Sequence, residues 1–90
     1  MPEAAGRFQY RVDVLNQLLR HGVRPTEFTR PELVRVFVRD LYKYEIRVLR
    51  ARYLRREFPK HEYADRVDAL RRRYPVLALQ PREFLYNPNW

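Results

Sequence analysis

The 90-residue sequence has no cysteine, no serine and only two glycines. Without cysteine there is no disulfide, thiolate nucleophile or cysteine metal site, and without serine no serine-hydrolase arrangement. Gly6 and Gly22 are too few for a phosphate-cradling loop. His61 and Asp65 make at most half a metal site. We therefore expect a protein that is not an enzyme and that holds neither cofactor nor metal.

Long apolar runs are also missing. No run approaches the ~18 residues of a membrane span, and the N-terminus lacks the apolar region of a secretion signal. This predicts a cytoplasmic protein with no membrane association. The composition, 46% hydrophobic and 33% charged, is typical of a globular domain. We expect one helical domain over residues 1–90, with residues 1–7 flexible.

Proline and glycine divide the chain into three predicted helices, the first over residues 8–21. Gly22 and Val23 are placed to end it in a Schellman motif. A competing signal is the strict alternation of apolar residues over 8–14, which is typical of a half-buried strand. Its partner would have to be the chain near 76–79. Helix is the favoured prediction.

The second predicted helix is long and central, spanning residues 29–57. Thr29 and Glu32 have the spacing of a capping box, and Pro31 fits the first turn. Nothing breaks the helix before Pro59. At ~1.5 Å per residue it would be roughly 40 Å long. The sequence therefore predicts an all-α, small three-helix bundle built around this helix.

Two apolar stripes run along the central helix. The first stripe consists of Val34, Phe37, Leu41, Tyr44, Val48 and Ala51, and the second of Tyr42, Ile46, Leu49 and Tyr53. Glu45 lies between them with no cation one turn away in its own helix. A carboxylate in such surroundings needs a tertiary partner. We expect an arginine or a hydroxyl from another helix to supply it.

The third predicted helix spans residues 60–74, and an extended tail rich in proline and aromatic residues follows over 75–90. Prolines prevent a continuous helix there, but the aromatic content is too high for a solvated end. Two alternatives stay open. The tail either packs in cis on the central helix or inserts into a partner's groove.

These features favour a non-catalytic interaction module or small accessory subunit. Two short helices should leave the second stripe partly uncovered, and exposed apolar surface is typical of an interface. The predicted partner is an acidic larger protein or a second copy of this chain. The predicted protein-binding residues are Tyr42, Ile46, Leu49, Tyr53, Phe84, Tyr86 and Trp90.

The alternative is RNA or DNA binding. Nineteen lysines and arginines against eleven acids give a net charge of +8, which suits an acidic partner of either kind. One face of the central helix carries a cationic strip, consisting of Arg35, Arg39, Lys43, Arg47 and Arg50. Acids interrupt the same helix, however, and no helix-turn-helix is evident. Nucleic acid is therefore the second hypothesis.

Overall fold

The computed structural model describes residues 7–86. Its elements are three α-helices, α1 (Val12–Arg20), α2 (Pro31–Leu54) and α3 (Lys60–Arg72), followed by two short 3₁₀ helices, Pro75–Ala78 and Pro81–Phe84. The described chain contains no strand, and the prediction of an all-α fold with a long central helix is confirmed. Residues 1–6 of the predicted flexible N-terminus, and 87–90 of the tail, lie outside this range.

Helix α1 is shorter at its start than predicted, because residues 8–11 are extended. The Phe8 N–H donates to the Glu27 carbonyl (2.6 Å), and Tyr10 forms an isolated antiparallel bridge with Leu85. The strand-like alternation of apolar residues therefore correctly indicated an extended chain at its first residues, 8–11. Its partner is the chain at Leu85, not the predicted segment near 76–79.

The end of α1 matches the prediction. Gly22 has φ +75°, and the Val23 N–H donates to the Leu18 carbonyl (3.0 Å). The Gly22 N–H donates to the Leu19 carbonyl (2.9 Å). This pair of bonds is a Schellman motif, and glycine occupies the left-handed position without a Cβ penalty.

Helix α2 begins at Pro31, and the predicted capping box at its start is wrong. The residue before the helix is Arg30, and no side chain caps the helix. Thr29 instead accepts the Thr26 N–H at Oγ1 (2.9 Å), closing the preceding turn. A threonine side chain can satisfy a turn or a helix end, and here the turn prevails.

The helix ends at Leu54, three residues earlier than predicted, in a second Schellman motif. Arg56 takes the left-handed position with φ +62°, and the Glu57 N–H donates to the Arg52 carbonyl (3.1 Å). The Glu57 carboxylate binds Arg52 and Arg55, each at 2.8 Å. These hydrogen bonds, Arg52 first, lower the pKa of Glu57. The resulting turn stops the helix without glycine.

Helix α3 carries the predicted i, i+4 ion pairs, Arg66 to Glu62 (3.2 Å) and Arg72 to Asp68 (2.7 Å). Both pairs are solvent-exposed and contribute little stability.

None of the helices in the described range is long and apolar enough to cross a bilayer.

The described part of the tail, residues 75–86, packs in cis rather than standing away from the helices. Arg35 of α2 donates from Nε to the Leu79 carbonyl (2.9 Å) and from Nη2 to the Leu77 carbonyl (2.7 Å). Phe84 is fully buried. The core therefore combines all three helices with the tail, and its buried hydrophobic residues are Tyr10, Val14, Leu18, Val23, Val34, Val38, Leu49, Phe58, Leu70, Tyr74, Val76 and Phe84.

Candidate functional site

The structure covers the second stripe of α2, whose members are Tyr42, Ile46, Leu49 and Tyr53. Leu49 is buried and the other three are half-buried against the core. The Tyr53 ring meets Tyr63 of α3 edge-on at 4.9 Å, and Tyr42 meets Tyr74 in the same way at 5.3 Å. α3 and the segment after it lie upon this stripe and cover most of it, and only the part that three of its members keep exposed matches the expectation of a partly uncovered stripe.

One exposed apolar surface of α2 lies on another side of the helix. It is formed by four side chains, hereafter the outer stripe, with exposed fractions of 63% for Leu33, 53% for Phe37, 60% for Tyr44 and 41% for Val48. Three of them, Phe37, Tyr44 and Val48, belong to the predicted first stripe. The heptad-like spacing of that stripe was the only feature of the sequence that indicated this surface. Val34 of that stripe is buried, so the first stripe straddles the edge of the core.

A groove between α2 and α3 runs beside the outer stripe. Two adjoining clefts of about 700 and 470 Å³ form it, and both are lined by Tyr44, Glu45 and Arg73. Its remaining lining residues are Arg20, His21, Leu41, Val48, Leu49, Arg52, Arg66, Ala69, Leu70, Arg72, Tyr74 and Pro75. Apolar side chains thus share this α2–α3 groove with five arginines and a single acid.

Glu45 is tied to α3 at the middle of the groove. Its carboxylate accepts a hydrogen bond from the Tyr74 hydroxyl and lies 3.7 Å from Arg73 Nη2. This confirms the expectation that a hydroxyl or arginine from elsewhere in the fold satisfies Glu45. Burial, reinforced by the hydrogen bond to Glu45, raises the pKa of Tyr74 to about 12.

His21 connects the end of α1 to the same cluster. Its ring stacks on Tyr74 with centroids 4.2 Å apart and planes 14° from parallel. His21 Nε2 also lies 2.8 Å from the Arg73 carbonyl oxygen. The cluster of His21, Glu45, Arg73 and Tyr74 therefore joins α1, α2 and the end of α3, and fixes the groove's two walls relative to each other.

The predicted cationic strip is only partly available as a surface. Arg35 is half-buried, and its guanidinium already donates to two carbonyls of the tail. This corrects its assignment as a candidate binding residue, because Arg35 instead holds the tail on α2. Arg39, Lys43, Arg47 and Arg50 are exposed. No acid of the described residues lies within 4.0 Å of the last three, whereas Arg39 is 4.0 Å from Asp40.

Of the three aromatic residues of the tail that are predicted to bind a partner, the structure describes two, and these two differ in exposure. Phe84 is inaccessible in the core, which corrects its assignment as a partner-binding residue. Tyr86 is exposed, while its N–H donates to the Gln9 carbonyl (2.8 Å). Trp90 lies outside the described residues.

Over residues 7–86, no group of three or more histidines and acids could hold a metal ion. Sequence reasoning missed Leu33, Arg66 and Ala69, since only the packing of α3 on α2 brings the last two to the groove. Compared with known proteins, the chain matches no family model, no curated protein and no solved structure.

Proposed function

We propose that this chain is a non-catalytic interaction module of the cytoplasm that docks onto a larger partner protein through the outer stripe and the α2–α3 groove. The observation that carries the proposal is the exposure of Leu33, Phe37, Tyr44 and Val48 on one side of a single helix. Contiguous exposed apolar patches on small proteins commonly mark interaction sites. Phe84 of the tail, which was predicted to share this role, is instead buried in the core.

The side-chain cluster around Glu45 supports a preformed docking surface. The Tyr74–Glu45 hydrogen bond and the His21–Tyr74 stack join the elements on both sides of the groove. A surface that is already ordered loses less conformational entropy when it binds. The cluster therefore serves binding through geometry, and its own acid and histidine need no catalytic role.

The decisive experiment compares two aspartate variants of α2. Val48 borders the groove and is 41% exposed, whereas Val36 is 43% exposed and does not line it. The two valines point about 120° apart around the helix. Val48→Asp and Val36→Asp therefore introduce the same charge, at the same cost in helix propensity, in different places.

We expect a protein partner to co-purify with the wild-type chain and with Val36→Asp but not with Val48→Asp. Quantitative mass spectrometry of nuclease-treated purifications measures this difference, and binding is then reconstituted from the two purified proteins. A partner retained equally by both variants would remove the groove from the proposal.

Nucleic-acid binding is the second candidate, because Arg39, Lys43, Arg47 and Arg50 remain exposed on one face of α2. Each phosphate contact contributes roughly one unit to the dependence of log affinity on log salt. Replacing Lys43, Arg47 and Arg50 by glutamine should lower that slope by up to ~3 units if RNA or DNA is the partner. Replacing exposed arginines of α3, such as Arg71, provides the control.

A further inference from the structure

The α2–α3 groove has the shape of a helix acceptor. Its wall on α2 extends from Leu41 to Arg52, a rise of roughly 16 Å, or about three helical turns. Its wall on α3 includes Arg66, Ala69 and Arg73, which follow one another at helical spacing. Ala69 has the smallest side chain of these three. Two such helical ridges, one of them with a small residue, suit the apolar face of a third helix.

The groove's apolar contacts lie at intervals of one helical turn. Leu41, Tyr44 and Val48 stand at positions i, i+3 and i+7 on α2 and line the two clefts in that order. A helix seated beside them would present its own apolar residues at i, i+3 or i+4, and i+7. An extended peptide has no such period, and no open sheet edge is present in residues 7–86 to receive one.

The charge of the groove identifies the kind of helix. Among its lining residues five are arginines and only Glu45 is acidic. Four of those arginines contact an acid of this chain, for example Arg66 with Glu62 (3.2 Å). Exposed pairs of this sort contribute ~0–1 kcal/mol each, and a guanidinium has five donors. The arginines can therefore also receive carboxylates from a partner.

A second copy of the chain is disfavoured by the same charges. The outer stripe lies between the groove's arginines and the exposed Lys43, Arg47 and Arg50. Pairing two outer stripes would bring these cations together around an apolar contact, in a chain that already carries +8. Like charges placed opposite each other weaken association.

We infer that the α2–α3 groove binds an acidic amphipathic helix of about three turns in the partner protein. This inference rests on the proposed function and adds the chemistry of the ligand. The apolar face of that helix contacts Leu41, Tyr44 and Val48, and carboxylates along its sides face the arginines of the groove.

The test is a selection from displayed 18-residue helical peptides with randomised surface positions, using the full chain as bait. We expect enriched peptides to combine the i, i+3 or i+4, i+7 apolar pattern with a net negative charge. Their binding should fall at least tenfold with Val48→Asp and remain within twofold with Val36→Asp. Circular dichroism of both variants, expected to match the wild type, shows that neither effect comes from unfolding.

Four results would overturn the inference. Enriched peptides could lack acidic residues, could bind Val48→Asp as well as Val36→Asp, or could fail to appear at all. A concentration-dependent dimer in light scattering that Val48→Asp dissociates would assign the groove to a second copy. Any of the three peptide results can occur while a native protein partner still requires Val48, so failure of the ligand chemistry is distinguishable from failure of the docking function.

Discussion

The two apolar sides of α2 have similar patterns in the sequence but differ strongly in burial in the fold. Val38 and Leu49 lie on the covered side and are buried, whereas Phe37 and Val48, on the outer stripe, are largely exposed. Both sides are apolar and both repeat at helical spacing. The difference comes from α3 and the tail, which pack on one side only. An amphipathic pattern identifies surfaces that need cover, while the rest of the chain determines which surface receives it.

The largest contrast should come from two phenylalanines. Phe84 is fully buried, so Phe84→Ala should cost about 3–5 kcal/mol of unfolding free energy. Phe37→Ala removes an exposed ring and should change that free energy by less than about 0.5 kcal/mol. Urea denaturation measures both. Similar losses for the two variants would mean that the outer stripe is covered within the chain.

A matched pair of valines within α2 sharpens the comparison. Val38 is fully buried and Val48 is 41% exposed. Val38→Ala should cost about 2 kcal/mol for the two buried carbon groups that it deletes. Val48→Ala should cost less than about 0.5 kcal/mol. Because both variants gain the same helix propensity, their difference isolates burial, and equal values would contradict the assignment of the two sides.

Two arginines test the same division for charged residues. Arg35 holds two carbonyls of the tail, so Arg35→Gln should destabilise the fold by about 1–2 kcal/mol through the lost charge-assisted bonds. Arg39→Gln, on the exposed strip, should have almost no effect. Thermal or urea unfolding measures the change in stability for both variants. A neutral Arg35→Gln would return Arg35 to the candidate cationic surface.

The end of α2 belongs to neither side and offers a gain in stability. Arg56 occupies the left-handed position that Gly22 occupies at the end of α1. Arg56→Gly should raise the unfolding free energy by about 0.5–1 kcal/mol, because glycine adopts this conformation without a Cβ penalty. It should leave partner binding unchanged. The reverse substitution, Gly22→Ala, should be destabilising, although open space surrounds its Cβ position.

The last comparison concerns pH on the covered side. Burial raises the pKa of Tyr74 to about 12 and that of Tyr10 to about 12, from an ordinary 10. A raised pKa in the folded state stabilises the fold below pH 10, and that stability is lost as the pH rises from 10 towards 12. Tyr74→Phe should remove one late-titrating phenol from the ultraviolet absorbance of the phenolates. If the phenol that is lost titrates near 10 instead, Tyr74 lies in water.

Much of the fold follows from local chemistry. The Schellman motif at Gly22 and the start of α3 after Pro59 were predictable because proline and glycine act over a few residues, whereas α3 ends two residues before the predicted 74. The need of Glu45 for a tertiary partner was predictable from the lack of a cation in its own helix. Thr29 was misassigned because its side chain had two equivalent local uses, and the turn to Thr26 competes with the helix cap.

By itself, the sequence determined that this chain forms an all-α protein with a long helix carrying more apolar surface than one neighbour can cover. Only the tertiary structure decided which side of that helix α3 covers, that Arg35 secures the tail, and that Ala69 and Arg66 join Val48 at one groove. The physical reason is the distance along the chain over which each interaction acts. Helical periodicity and turn chemistry act between near neighbours, whereas coverage depends on contacts between residues tens of positions apart, which no local pattern specifies.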